Sequence, residues 1–265
     1  MKPKLIVRGA AGRMGRRIIA LAAEQGLFQL AGAIECPGHP SLGADAGELA
    51  GCGKLEITLA ERPGQTADVM IDFSLPQAAI DSITFCADKG IKLTLGTTGL
   101  SDVEKDALAK ASKKIAIVQA ANMSLGMNLL FNIVGKAAAA LGQDYDVEII
   151  EAHHRFKKDA PSGSALSLAQ ALCKATGLKY PDCLVYGRDG KDSTRQSGTI
   201  GVHAVRAGDI TGEHSVIFST LGETVAFSHS AHSRDTFARG ALKAAKWLLD
   251  KPAGLYDMQD VLGLK

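Results

Sequence analysis

The sequence predicts an α/β chain, with a doubly wound parallel sheet first and an α+β region with a mostly antiparallel sheet second. Two observations carry the first part: short apolar runs alternate with helical periodicity as far as Val118, and a glycine turn joins the first run to the first helix. A third carries the second part, where β-prone runs split by Gly-Asp and Gly-Glu turns follow one another over 199–230. Strand, turn, helix, strand closes as a right-handed crossover in a parallel sheet, whereas closely spaced runs with tight turns pair antiparallel. A Rossmann-like domain over 1–123, completed by 235–265, and a second domain over 124–234 are therefore expected.

Lys4–Arg8 is a short β-prone run that ends at Gly9. Arg13–Gln25 carries Met14, Ile18, Ile19, Leu21 and Ala22 at helical spacing, and the strand 28–34 closes at Glu35. Residues 68–73 read as a nearly all-apolar buried strand, 77–89 as a helix and 91–95 as the next strand. Ser101 and Glu104 form the capping-box pattern of a helix reaching about Lys113, with a strand at 115–118 after it. Beyond Asn122 come a long Ala-rich helix over 125–141, a strand over 146–151 and a polar loop from His153 to Ser162. Ser162-Gly163-Ser164 opens a helix over 165–174, and strands follow at 199–206, 213–220 and 224–230. A last helix over 235–249 has Phe237, Ala241, Ala244, Ala245 and Leu248 on one side, the face needed to pack back onto the first domain.

The composition bounds the function. With 265 residues, 46% hydrophobic and 22% charged, the chain has ample apolar surface for a packed core and is not a disordered or fibrous sequence. Thirty basic against 28 acidic residues, mixed along the chain, give no reason to expect nucleic acid as partner. No apolar stretch is long and unbroken enough to span a bilayer, and no signal-peptide core is present, so a cytoplasmic protein is expected. Cys36, Cys52, Cys86, Cys173 and Cys183 lack CxxC or zinc spacing and read as reduced, mostly packing residues.

The glycine turn is Gly9-Ala10-Ala11-Gly12-Arg13-Met14-Gly15, between a strand and a helix. Its glycines let backbone N–H groups approach a pyrophosphate, which the positive end of the helix further favours. Glu35, closing the second strand, is placed to accept hydrogen bonds from ribose hydroxyls, and Cys36 after it offers no cation for a 2′-phosphate. Cys36 stands where an Arg would favour a 2′-phosphate, so the local sequence leans toward NADH, while the G-x-x-G-x-x-G spacing departs from the commoner G-x-G-x-x-G. Gly96-Thr97-Thr98 and Ala120-Ala121-Asn122-Met123 end two later parallel strands, at the edge where doubly wound sheets bind ligands.

The densest segment is Glu151-Ala152-His153-His154-Arg155-Phe156-Lys157-Lys158-Asp159-Ala160-Pro161-Ser162-Gly163-Ser164. A histidine exchanges a proton near neutrality, nearby lysines raise one another's electrostatic energy unless an anion relieves it, and a helix N-terminus follows. That combination points to a carboxylate clamp with acid-base chemistry. No carboxylate set completes a ligand group beside the two histidines, so no metal is expected. His203, His214, His229 and His232 read as cross-strand or surface residues, and Trp247 and Phe237 as packing.

The turn GAAGRMG, the GTTG turn, the AANMS segment and above all EAHHRFKKDAPSGSA resemble the dihydrodipicolinate reductases, the 4-hydroxy-tetrahydrodipicolinate reductases of bacterial lysine and diaminopimelate synthesis. VRAGDITGEHSVIF, SHSAHSRDTFARGALKAAKWL and GLYDMQDVL resemble the same family in the same order, so the likeness covers essentially the whole chain. The resemblance implies NADH or NADPH as cofactor, a small cyclic dicarboxylate as substrate, and a homotetramer built by the second domain. It places acid-base work on His153, proton donation on Lys157 and substrate carboxylates on His154, Gly163 and Ser164. It places pyrophosphate contacts on Gly9, Ala10, Ala11, Gly12, Arg13 and Met14, ribose contact on Glu35, and nicotinamide contacts on Gly96, Thr97, Thr98, Ala120, Ala121, Asn122 and Met123. Several family members carry arginines where this chain has Cys36 and Leu75, which implies dual cofactor use with some NADH preference.

Two rival readings stand beside it. Another NAD(P)H-dependent dehydrogenase acting on a small carboxylate would share the glycine turn without needing the histidine-lysine cluster. A non-catalytic nucleotide sensor would need neither His153 nor Lys157.

Overall fold

The run Lys4–Arg8 becomes β1 at the heart of a seven-stranded parallel sheet, and its alternation feeds two cores: Leu5 and Val7 point into one, Ile6 into the other. The computed structural model describes residues 1–64 and 66–265, and the elements and absences below are those of the described residues. In chain order they begin with β1 (Lys4–Arg8), α1 (Arg13–Gln25), β2 (Gln29–Ile34), α2 (Ala46–Ala50), β3 (Leu59–Ala60), β4 (Val69–Asp72) and α3 (Pro76–Lys89). Then come β5 (Lys92–Leu95), α4 (Asp102–Ala111), β6 (Ala116–Gln119), α5 (Leu125–Leu141), β7 (Asp146–His153), α6 (Gly163–Thr176) and β8 (Leu184–Tyr186). The last are β9 (Ile200–Arg206), β10 (Gly212–Thr220), β11 (Glu223–Ala231), α7 (Asp235–Leu248), β12 (Gly254–Tyr256) and α8 (Met258–Leu262). No helix among them is long and apolar enough to cross a membrane.

They divide into two units, Met1–Leu125 with Arg234–Lys265, and Gly126–Ser233. In the first unit the strand order is β12-β6-β5-β4-β1-β2-β3, every ladder parallel. Helices α1, α7 and α8 share one core with Leu5, Val7 and Ile71, and α3 and α4 share the other with Ile6, Met70 and Leu93. Arg17 on α1 donates twice to Asp235 at the start of α7, both at 2.7 Å. Helix ends follow the sequence: α1 and α3 stop at left-handed Gly26 and Gly90, and the Ser101 N–H donates to Glu104 Oε2 at 2.7 Å to begin α4.

The second unit is a five-stranded mixed sheet in the order β11-β10-β7-β9-β8. Its long β10–β11 and β10–β7 ladders are antiparallel, but β7–β9 and β9–β8 are parallel. Thus β9 and β10, adjacent in sequence, are parted by β7. One face of this sheet, with Val147, Ile149, Ile200, Val202, Val216 and Phe218, packs with Leu168 and Leu172 of α6 and Met127 and Val134 of α5. On the opposite face lies Glu148. Burial pushes its carboxyl up, but Arg188 (2.8 and 3.0 Å), His203 (2.6 Å) and Arg195 (3.0 Å) overcome this and hold it at about 2.

Five elements lie outside what the sequence pattern announces: α2, β3, β8, β12 and α8 are all five residues or shorter. β7 also runs two residues further than expected, so His153 ends a strand and does not open a loop. The extension follows from pairing, since Arg206 of β9 lies opposite His153 and the Ala207 N–H donates to the His153 carbonyl at 2.9 Å.

Candidate active site

Because all seven strands of the first unit run parallel, the turns after β1, β4, β5 and β6 open along one sheet edge. Strand order reverses at the adjacent β1 and β4, which makes that edge a topological switch point. Gly9 sits there with φ +72°, and a side chain on it would meet the Phe73 carbonyl at 3.0 Å. Gly15 is tighter: a Cβ would lie 2.1 Å from the Gly9 carbonyl oxygen, so only glycine lets α1 start against the turn. The N–H groups of Gly9 and Ala10 donate to Ile34 O (3.0 and 3.1 Å) and that of Gly12 to Gly9 O (3.0 Å), which fixes the turn so that α1 begins at Arg13 and Met14.

Glu35 lies beside this turn. Its carboxylate accepts the Ala11 N–H at 3.1 Å and the Cys36 N–H at 3.0 Å. Cys36 is exposed and Leu75 is 72% exposed. After β5, Gly96 donates to Asp72 O at 2.9 Å and Thr97 Oγ1 to Ser74 O at 3.1 Å, while Thr98 is exposed. A Cβ on Gly96 would run into the Phe73 ring at 2.4 Å. After β6, the Ala120 N–H donates to Leu95 O at 3.2 Å, Ala121 is exposed, and Asn122 Oδ1 accepts the Ser124 N–H at 2.8 Å. Met123 is buried, with its carbonyl where a Gly240 side chain would be. A glycine cradle at a helix start, a carboxylate at the second strand's end and two small-residue turns on one edge fit a dinucleotide.

The second unit gathers the other residues at one end of its sheet. His153, 9% exposed, ends β7 with Nδ1 2.6 Å from Glu151 Oε2. Glu151 is fully buried and receives Arg206 twice, at 2.8 Å each, and the Ser162 N–H at 3.0 Å. Burial pushes the Glu151 carboxyl up, but Arg206, His153 and the Ser162 N–H hold it below the usual carboxylate range. Burial pushes His153 down, more than Glu151 raises it, with the Lys157 and Arg206 cations acting the same way as burial.

Ser162 is the N-cap of α6: its Oγ accepts the Ala165 N–H at 3.2 Å and lies 3.2 Å from His214 Nε2. The first turn of α6 contains Gly163, exposed and with nothing within 4 Å of a would-be Cβ, and Ser164. Lys157 Nζ pairs with Asp159 Oδ1 at 2.9 Å, and the Lys157 N–H donates to the His154 carbonyl at 3.1 Å. His154 turns the other way from His153, toward the exposed Phe156 ring, with a buried Nδ1 that meets no hydrogen-bond partner among the described residues.

Two neighbours of His153, Arg206 and His214, escape a reading of the sequence alone. Glu151, Arg206 and His214 surround His153, the last edge-on with ring centroids 5.2 Å apart. Burial pushes His214 down to about 4, so at neutrality it stands as a neutral ring. A signal for it exists: alternation along Gly-Glu-His-Ser-Val-Ile-Phe puts His214 on the same side as the core residues Val216 and Phe218.

Comparison with known proteins places the chain in context. A family model described as "Dihydrodipicolinate reductase, N-terminus" matches residues 3–123, and one described as "Dihydrodipicolinate reductase, C-terminus" matches 126–262. A protein of Hahella chejuensis named 4-hydroxy-tetrahydrodipicolinate reductase is 47% identical over 265 residues, covering 99% of both chains. One of Magnetococcus marinus with the same name is 45% identical over 268 residues, covering 100% of both. Among solved structures, a dipicolinate-bound dihydrodipicolinate reductase from Paenisporosarcina sp. TG-14 superposes with a TM-score of 0.78 at 20% identity, covering 98% of this chain and 99% of its own. An amine dehydrogenase from Mycobacterium smegmatis shares the fold at a TM-score of 0.60 and 13% identity, with 96% and 94% covered.

Proposed function

The chain belongs to the dihydrodipicolinate reductase family, and from that premise we propose how its residues divide the work. It is an NAD(P)H-dependent oxidoreductase that reduces 4-hydroxy-tetrahydrodipicolinate to tetrahydrodipicolinate in lysine and diaminopimelate synthesis. The observation that carries the assignment of roles is the gathering of His153, Lys157 and the α6 N-terminus at one end of the second unit's sheet.

When bound, NAD(P)H supplies the hydride. The Gly9–Met14 turn holds its pyrophosphate, Glu35 its ribose, and Gly96 to Thr98 with Ala120 to Met123 its nicotinamide. On the substrate side, His154, Gly163 and Ser164 hold the carboxylates. The start of α6 brings backbone N–H groups and the positive helix end. Leaving a buried polar atom such as His154 Nδ1 unmatched costs about 1–3 kcal/mol, which a hydrogen bond to a substrate carboxylate recovers. The dipicolinate held by the Paenisporosarcina reductase supports a cyclic dicarboxylate. Lys157 offsets negative charge developing on the ring and delivers a proton to it, and His153 is the acid-base group beside it.

The test follows NADH and NADPH absorbance in parallel, with substrate formed in the cuvette from pyruvate and aspartate semialdehyde by the preceding synthase. Substrate-dependent oxidation is expected with both. No oxidation in a protein that still binds NADH overturns the assignment of His153 and Lys157.

NADH is the preferred cofactor in this reading. Glu35 presents a carboxylate where a 2′-phosphate would come, and neither exposed Cys36 nor exposed Leu75 offers a cation to offset it. Cys36→Arg combined with Leu75→Arg is expected to shift the kcat/KM ratio toward NADPH by roughly ten- to a hundred-fold, the worth of a charged hydrogen bond. Wild-type efficiency equal or better with NADPH contradicts the preference.

The protein works as a cytoplasmic homotetramer, cytoplasmic because its nicotinamide cofactor is a metabolite of that compartment. The sheet face of the second unit opposite α5 and α6 supports the assembly, since it leaves Ile150 39% and Val205 45% exposed. Sedimentation is expected to give four times the 27.7 kDa chain mass, and a 27.7 kDa species at micromolar concentration contradicts it.

A further inference from the structure

The buried Glu151 carboxylate has four acceptor positions and four donors. Arg206 fills one on each oxygen at 2.8 Å, the Ser162 N–H fills a second on Oε1 at 3.0 Å, and His153 Nδ1 meets Oε2 at 2.6 Å. With a guanidinium on both oxygens this carboxylate stays ionised and has no proton to give, so the hydrogen on the short Glu151–His153 bond belongs to the ring. A neutral imidazole with Nδ1 protonated carries its lone pair on Nε2. Nε2 lies against Gly212, where a methyl would stand 3.1 Å from it, and meets no hydrogen-bond partner among the described residues.

We propose that Glu151, held by Arg206, is a positioning residue for the reaction: it fixes His153 in the Nδ1–H tautomer and aims a bare Nε2 as the base that takes a proton from the substrate ring and passes it to the 4-hydroxyl, which leaves as water before the hydride arrives. The groups facing His153 are Glu151 on its own strand, Lys157 on the following loop, Arg206 on β9 and His214 on β10, with His229 on β11 next in the row behind His214. Burial and the two cations keep the ring neutral at neutral pH, and His214, also neutral, adds no charge. Glu151 alone pulls the other way. It keeps His153 basic enough to take a proton, and through its hydrogen bond it sets the ring plane. The inference rests on His153 being the acid-base group.

Glu151→Gln keeps the shape and removes the charge. Its amide presents either oxygen or NH2 to Nδ1, and the latter forces the opposite tautomer. The expected result is a loss of kcat of roughly a hundred- to ten-thousand-fold with substrate KM little changed, as for other histidines robbed of their orienting carboxylate. The low-pH limb of the kcat profile moves to lower pH, because the group that raises His153 is gone, and Glu151→Asp restores part of the loss. A merely structural role predicts none of the last two effects. Since a buried pair is disturbed, the tautomer is also read on the wild-type protein, by 15N NMR of histidine-labelled enzyme with His153 assigned from His153→Gln. A protonated Nδ1 and unprotonated Nε2 are expected. An Nε2–H tautomer, or Glu151→Gln turning over like wild type while His153→Gln does not, overturns the positioning role alone. Unchanged turnover in His153→Gln removes the histidine from the reaction and this role with it.

Discussion

Replacing Lys157 with alanine is expected to lower kcat by roughly a hundred- to ten-thousand-fold while leaving NADH affinity unchanged. The residue belongs to the second unit, where its ammonium pairs with Asp159 at 2.9 Å and its side chain is 21% exposed. The dinucleotide cradle belongs to the first unit, so the two measurements separate cleanly. Lys157→Arg divides the two jobs given to the lysine. A guanidinium keeps the charge but does not release a proton near neutrality, so charge stabilisation survives in it and proton delivery does not. Turnover is read from NADH absorbance and affinity from NADH fluorescence, and a normal kcat in Lys157→Ala removes the residue from the mechanism.

The second large effect is on stability. Glycine inside an exposed helix costs about 1 kcal/mol relative to alanine, so Gly240→Ala ought to stabilise α7 by that amount. In place, a Cβ at Gly240 would lie 1.7 Å from the Met123 carbonyl oxygen, a backbone atom that cannot swing aside. Relief requires moving α7 off the turn after β6. The overpacking outweighs the propensity gain, and Gly240→Ala is expected to cost about 3 kcal/mol, seen as a lower Tm. The same shift displaces the Ala120 to Met123 segment, so NADH binding weakens with it. A variant as stable as wild type would show that α7 does not pack this closely.

What the sequence made legible follows from locality. β1, its glycine turn and α1 are contiguous, and each residue there answers to its near neighbours: apolar period, left-handed Gly9, the tight Gly15. β3, of two residues, and β8 and β12, of three, carry too little pattern of their own and exist because a neighbouring strand pairs with them. The place of β9 is of the same kind. Tight turns suggest that 199–206 pairs with 213–220, but β7 inserts between them, and nothing local in either run encodes that. The candidate site divides likewise. His153, His154, Lys157, Gly163 and Ser164 lie in one segment and were readable together, whereas Arg206 reaches Glu151 from 55 residues away and His214 reaches Ser162 from 52.

The first unit is made of two stretches of chain, Met1–Leu125 and Arg234–Lys265, with all of Gly126–Ser233 between them. On a ribosome adding roughly 5–20 residues per second, the inserted stretch is fully synthesised before α7, β12 and α8 emerge. Maturation therefore runs inside out: the later unit can close while the earlier one waits. Until Ala241, Leu242, Ala245 and Leu248 arrive, the sheet face bearing Leu5, Val7 and Ile71 has only the α1 side of its cover and the outer edge of β6 lacks its neighbour. A nascent chain stalled before Arg234 thus presents a half-covered sheet, the form a chaperone would hold, and the 32 residues of Arg234–Lys265 act as the clasp that ends its vulnerability.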